Sequence, residues 1–114
     1  MQKKHSILPA VAAIIFDENG KVLFQRRRDV DQWGIISGHV EFGETVEQAL
    51  LREIYEETGT HGELVRLIGV YSSPQSQTYR YGGVLTQFVT TYFEARLTGP
   101  IPPRFCNEES LALQ

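Results

Sequence analysis

Cysteine is nearly absent from this chain. Cys106 stands alone, so no intrachain disulfide can form, and a cytoplasmic, reducing compartment is expected, with Cys106 read as an inert loop thiol. No apolar run approaches the roughly 20 residues of a membrane-spanning helix. The start, MQKKHSILPAVAAIIF, sets basic residues before an apolar stretch as a signal peptide does. Pro9 interrupts that stretch, no small-residue cleavage site follows, and it passes straight into the turn-forming Asp17-Glu18-Asn19-Gly20-Lys21, so no membrane partner is expected. Positive charge is also in short supply, 11 Lys and Arg against 14 Asp and Glu, which argues against a protein that grips long nucleic acid. Small anionic ligands stay open if charge is arranged locally. Repeats, low-complexity tracts and linkers are missing, and 114 residues with 41% apolar and 22% charged side chains fit one domain, 1–114.

What is present reads as strands around one strong helix. Ala10 to Phe16 is apolar and partly β-branched, as for a central strand buried on both faces. Asp17 to Gly20 turns the chain into a second strand, Lys21 to Arg28, with Val22, Phe24, Arg26 and Arg28 on one face and Leu23, Gln25 and Arg27 on the other. A polar loop, Asp29 to Gln32, leads to the short apolar Trp33-Gly34-Ile35-Ile36. The helix is expected from about Thr45 to Thr58, opened by the capping box Thr45 and Gln48 and stopped by Gly59. Leu64 to Tyr71 is a further apolar run, Ser72 to Gly83 a polar loop, and Val84 to Leu97 a long strand ended by three prolines between Gly99 and Pro103. This order predicts a mixed α+β domain.

The helix is charged at its wrong end. Glu53, Glu56 and Glu57 fall in its last turns, where the backbone carries partial negative charge and favours cations. At about 100° per residue from Val46, the apolar stripe of Val46, Leu50, Ile54 and Leu51 runs from about 0° to 140°, and the three acids lie near 340°, 280° and 20°. They form one band beside the stripe, and Glu57 overlaps it. A solvated acidic face accounts for Glu56. It does not account for Glu57, for the lack of lysines one turn away, or for the adverse dipole. Rigid oxygen donors of this kind suit Mg²⁺ or Mn²⁺, and no EF-hand loop occurs to suggest Ca²⁺.

Gly38, Glu44 and Arg52-Glu53-Ile54-Tyr55-Glu56-Glu57-Thr58-Gly59-Thr60 resemble the signature of the Nudix hydrolases, G-x5-E-x7-R-E-U-x-E-E-x-G-U with U aliphatic. Eight of its nine defined positions agree; Thr60 departs, and Ile36-Ser37-Gly38 stands where many members have Pro-Gly-Gly. The resemblance implies an α/β/α sandwich with a mixed central sheet, and a metal-dependent pyrophosphohydrolase that cleaves a nucleoside diphosphate linked to another moiety. It implies that Glu53, Glu56 and Glu57 bind Mg²⁺ or Mn²⁺, with the Gly38 carbonyl as a further ligand and Glu53 a candidate for activating water. Arg52 would orient a glutamate and Glu44 would hold the loop. A further acid from a distant loop is common in the family, which makes Glu109, or its neighbour Glu108, a candidate ligand.

Three more residues are candidate substrate contacts. Arg27 occupies the strand end where similar proteins keep an arginine, and alternation bars Arg26, Arg27 and Arg28 from sharing one site. His39 lies inside the signature loop, as a substrate contact or a surface histidine. Tyr79, with Tyr81, stacks a base or sits at a strand edge. The segment Tyr71-Ser72-Ser73-Pro74 resembles the Ser-Pro segment of ADP-ribose pyrophosphatases without its following glycine, which tilts the expectation toward ADP-ribose-like or sugar-nucleotide substrates over nucleoside triphosphates. The rival expectation is a Nudix-fold module that binds a nucleotide without cleaving it. Members also continue past the strand that Ser110 to Gln114 begins into a closing helix, so either the sequence is C-terminally incomplete or a partner subunit closes the sheet, and a homodimer is predicted.

Overall fold

The structure is a computed structural model that describes residues 4–27, 32–103 and 111–113. Its elements are β1 His5–Ile15, β2 Leu23–Arg27, β3 Gln32–Gly34, β4 Ile36–His39, α1 Val46–Thr58, β5 Gly62–Tyr71, α2 Pro74–Gln77, β6 Thr78–Tyr81, β7 Val84–Leu97 and β8 Leu111–Leu113. The main sheet runs β4-β1-β7-β5, and a smaller antiparallel sheet runs β3-β2-β8. β1 and β7 are parallel in the register Leu8 to Phe88 and Val11 to Thr91, while β4 and β5 are antiparallel to their neighbours. Since β1 lies along one edge of β7, β5 and β6 share the other, β6 against Val84–Gln87 and β5 against Thr90–Leu97. A parallel pair needs a long crossover, and α1 lies in it.

The core is the seam between this sheet and α1. Val11, Ala13 and Ile15 alternate inward from β1, Phe93 and Ala95 from β7, Ile36 from β4, and they meet Ala49, Leu50 and Ile54 of the helix and Leu23 of β2. Of the two faces of the second strand, the one that carries Leu23 turns inward, and Arg26 is exposed on the other. On the opposite face of β7, Thr86, Phe88 and Thr90 are also buried, so this strand is covered on both sides along different stretches. The fold is the expected α+β class with a mixed sheet. Among the described residues α1 is the one helix longer than a turn, so a helix layer covers one sheet face.

Two expectations need correction. The stretch Ser72 to Gly83 is not all loop: Pro74 opens the short α2, and β6 with β7 forms a hairpin. Gly82 and Gly83, at φ of 56° and 83°, supply the two left-handed residues of a two-residue hairpin turn, a conformation glycine takes without steric cost. The helix stripe is also shifted. Leu51 is exposed, whereas Ala49 and Thr58 are buried, so the buried arc is centred close to Glu53 and Glu57 instead of beside them. Glu108, Glu109 and Cys106 lie outside the described residues, as does the side chain of Arg27.

Candidate active site

The loop and the helix start are fixed by paired caps. Thr45 Oγ accepts from the Gln48 N–H at 3.1 Å and Gln48 Oε1 accepts from the Thr45 N–H at 2.9 Å. Just ahead of it, Glu44 accepts from the Glu41 N–H at 2.9 Å, and its own N–H donates to the Glu41 carbonyl at 3.0 Å. At the other end Gly59, left-handed at φ 74°, donates to the Tyr55 carbonyl at 2.8 Å. The wholly buried Thr58 donates its hydroxyl to the Ile54 carbonyl at 2.7 Å and accepts from the Thr60 N–H at 3.2 Å. The last turn, which carries Glu56 and Glu57, is therefore held firmly, and it contains no basic side chain.

Arg52 is the hub of the site. Its guanidinium grips Glu44 with two bonds, Nε to Oε2 at 2.8 Å and Nη2 to Oε1 at 3.0 Å, the fork geometry that suits a carboxylate. Nη1 donates to Glu53 at 2.9 Å and to Glu56 at 3.2 Å, and Nη2 donates to the His39 carbonyl at 3.0 Å. Glu41 is a looser partner at 3.8 Å. Gly38 lies directly against Glu53: a Cβ there would run into the Glu53 carboxyl group. Gly38, His39, Glu41, Arg52 and Glu53 line an open cleft of about 380 Å³, within the size range of small-molecule sites.

Environment divides the acids. The Arg52 fork, helped by the Glu41 N–H, holds the Glu44 carboxyl below the ordinary carboxylate range. Arg52 in turn is held more firmly protonated, first by Glu44. Burial pushes Glu53 upward against the opposing pull of Arg52. Glu57 is pushed upward by burial and then by the nearby Glu56 charge. Among the described residues no hydrogen-bond donor or ion-pair partner reaches Glu57.

Of the sequence candidates, Gly38, Glu44, Arg52, Glu53 and Glu56 come together, His39 lines the same cleft, and Glu57 stands one residue along the band. Tyr79 projects from β6 and is linked to His39 through Phe88. Two residues escaped the sequence reading. Glu41 had a signal in its spacing of three from Glu44, as in a tight turn; Phe88 had none without knowledge of which strands pair.

A hard divalent cation fits this donor set. Three carboxylates share one helical band, two of them are made costly to ionise by burial, and they crowd the negative end of the helix dipole. Among the described residues no three acids, imidazoles or thiols converge as a ready-made cage, since Arg52 Nη1 sits between Glu53 and Glu56.

The model of the NUDIX domain matches residues 7–114. The chain belongs to the NUDIX family. It is 42% identical over 64 residues to a putative 8-oxo-dGTP diphosphatase of Bacillus subtilis (strain 168), covering 56% of this chain and 43% of that protein. It is 46% identical over 70 residues to an ADP-ribose pyrophosphatase of Methanocaldococcus jannaschii, covering 58% of this chain and 41% of the relative. The chain thus spans less than half the length of these curated relatives. Among solved structures it is similar to a UDP-X diphosphatase, with a TM-score of 0.72 at 26% identity over 94% of this chain and 49% of the other. A NUDIX hydrolase from Nitrosomonas europaea gives a TM-score of 0.72 at 27% identity over 93% of this chain and 70% of that one. The likeness to these NUDIX structures agrees with the mixed sheet and few helices of the fold here.

Proposed function

We propose that this NUDIX chain hydrolyses the diphosphate link of a nucleoside diphosphate joined to another moiety, ADP-ribose-like or a sugar nucleotide ahead of a nucleoside triphosphate, with Mg²⁺ or Mn²⁺. The observation that carries the reading is the intact acid band Glu53, Glu56 and Glu57, in which Arg52, gripped by Glu44, holds Glu53 and Glu56 and Glu53 lines an open cleft. The names of the ADP-ribose pyrophosphatase and the UDP-X diphosphatase fit the first two classes and that of the 8-oxo-dGTP diphosphatase fits the third, so the order rests on the Ser72-Ser73-Pro74 segment.

Glu53, Glu56 and Glu57 would hold the cation together with the Gly38 carbonyl, and Glu109 is the further ligand proposed from outside the described residues. When bound, the cation neutralises the diphosphate oxygens and makes a coordinated water easier to deprotonate. Glu53 is the candidate base, since burial already raises its proton affinity and Gly38 leaves it room at the cleft wall. Arg52 positions Glu53 and Glu56 and does not act on substrate, because its donors are taken by Glu44, Glu53, Glu56 and the His39 carbonyl. Arg27 is proposed to contact phosphate. The protein is proposed to act in the cytoplasm as a homodimer; among the described residues no helix is long and apolar enough to cross a membrane.

One observation favours a second reading. Arg52 Nη1 already bridges Glu53 and Glu56, and a site whose acids stay paired in this way would bind a nucleotide without cleaving it. Incubation with Mg²⁺ and a panel of ADP-ribose, sugar nucleotides, dinucleoside polyphosphates and nucleoside triphosphates separates the two. Release of a nucleoside monophosphate is expected, and tight binding without product would establish the module.

A further inference from the structure

Arg52 aims two of the three acids and leaves the third. Its guanidinium reaches Glu53 and Glu56, whereas among the described residues no side chain holds Glu57, so the direction of Glu57 depends on its own backbone in the last turn of α1. The neighbouring residue governs that backbone. Thr58 is wholly buried and carries a hydroxyl into an otherwise apolar seam. A β-branched residue is a poorer helix former than alanine, and a buried hydroxyl costs free energy unless it is bonded. Alanine, which fills the buried position 49 of the same helix, would serve packing alone better.

The hydroxyl joins the helix to the chain that leaves it. Its proton goes to the Ile54 carbonyl at 2.7 Å, with the Thr60 carbonyl 3.1 Å away, and its oxygen accepts from the Thr60 N–H at 3.2 Å. That exit is anchored in turn to the sheet. The His61 carbonyl accepts from both the N–H and the hydroxyl of Thr98 at 2.9 Å. Gly62 pairs with Leu97 of β7 so close to the helix that a Cβ there would meet the Ile54 side chain at 3.0 Å. Thr58 thus ties the last turn to β5 and β7, as Arg52 ties the preceding turns to His39 and Glu44. Glu57 is the residue just before Thr58, so a twist of this turn about the helix axis would swing its carboxyl group away from those of Glu53 and Glu56.

We infer that Thr58 is a positioning residue for the cation site: its buried hydroxyl fixes the direction of Glu57 as Arg52 fixes those of Glu53 and Glu56. The inference rests on the reading of the acid band as the metal site. A helix cap with no bearing on the site would change stability and leave metal affinity alone. The two roles separate because the hydroxyl and the methyl group of Thr58 can be removed one at a time.

The test is calorimetric titration of metal-free protein with Mn²⁺, beside thermal melts in chelator. Thr58→Val keeps the shape and loses the hydroxyl, and is expected to weaken Mn²⁺ binding roughly 10-fold or more, the loss usual when a group that orients metal ligands is removed. Thr58→Ala carries the same expectation and serves if the valine variant does not fold. Thr58→Ser keeps the hydroxyl and loses the buried methyl group; it is expected to melt about 4–8 °C lower and to hold wild-type Mn²⁺ affinity. Glu57→Gln alone is expected to weaken Mn²⁺, and Thr58→Val added to it is expected to weaken it no further, because the acid it aims has lost its charge. Wild-type affinity in both Thr58→Val and Thr58→Ala, equal weakening by Thr58→Ser, or a Thr58→Val penalty that persists in full beside Glu57→Gln would overturn the positioning role and leave the metal reading standing. Wild-type Mn²⁺ affinity in Glu57→Gln would instead refute the acid band as the metal site, and the positioning role with it.

Discussion

Arg52 holds Glu44, Glu53 and Glu56 with one side chain, and no other residue type has the donors to do so. Lysine keeps the charge but offers a single rotating ammonium in place of a planar fork. Arg52→Lys is therefore expected to lower activity roughly 10- to 100-fold, as is usual when a group that orients metal ligands is lost, with the fold intact by circular dichroism. Glu57 sits in the opposite condition: half-buried, beside Glu56 and at the negative end of a helix. Its proton affinity is raised in the folded protein above its value in the unfolded chain. Without metal, its contribution to stability is thus full below the ordinary carboxylate range and is lost as pH rises through the raised pKa. In chelator, Glu57→Gln is expected to melt higher than wild type at neutral pH, by roughly 0.3–1 kcal/mol after solvent screening is allowed for. The difference should vanish in acid, and saturating Mg²⁺ should reverse the order. Thermal melts at two pH values with and without Mg²⁺ check all three.

At the scale of the element, α1 works because both ends are locked before any packing is counted. Gly59→Ala puts a β-carbon on a left-handed residue at φ 74° and is expected to cost about 1–2 kcal/mol in denaturant unfolding. Since the turn it closes carries Glu56 and Glu57, Mg²⁺ affinity should fall with it. This helix was the most legible part of the sequence. Thr45, Gln48 and Gly59 announce its ends through backbone chemistry that depends on near neighbours alone, and the acids at its C-terminus stand out for the same reason. The exact buried arc was less legible, because the exposure of Leu51 and the burial of Ala49 and Thr58 depend on where the sheet lies. α2 and β6 were missed because polar residues dominate Ser72 to Tyr81. The Gly82-Gly83 pair is visible in the sequence, but that it closes a hairpin depends on the pairing of Tyr81 with Val84.

For the whole molecule, the sheet order β4-β1-β7-β5 joins segments some 80 residues apart, and nothing local in the chain specifies it. That order brings Phe88 between His39 and Tyr79, which is why Phe88 carries no signal in the sequence while His39 and Tyr79 do as single residues. It also leaves β5 at an edge, where Val65, Leu67, Val70 and Tyr71 are at least half exposed. Two register irregularities twist this edge, a feature that discourages indiscriminate strand pairing. The proposed homodimer is expected to cover these side chains, giving a solution mass of two chains by light scattering and a shift toward one chain in Val70→Glu; a monomeric wild type would refute it. The central claim is that the acid band works as a metal site in catalysis, and the most direct measurement is Mg²⁺-dependent release of nucleoside monophosphate by wild type and by Glu57→Gln on the preferred substrate. Turnover that requires Mg²⁺ in wild type and falls by roughly 10²-fold or more in the variant is the predicted result; turnover that the variant retains in full would contradict it.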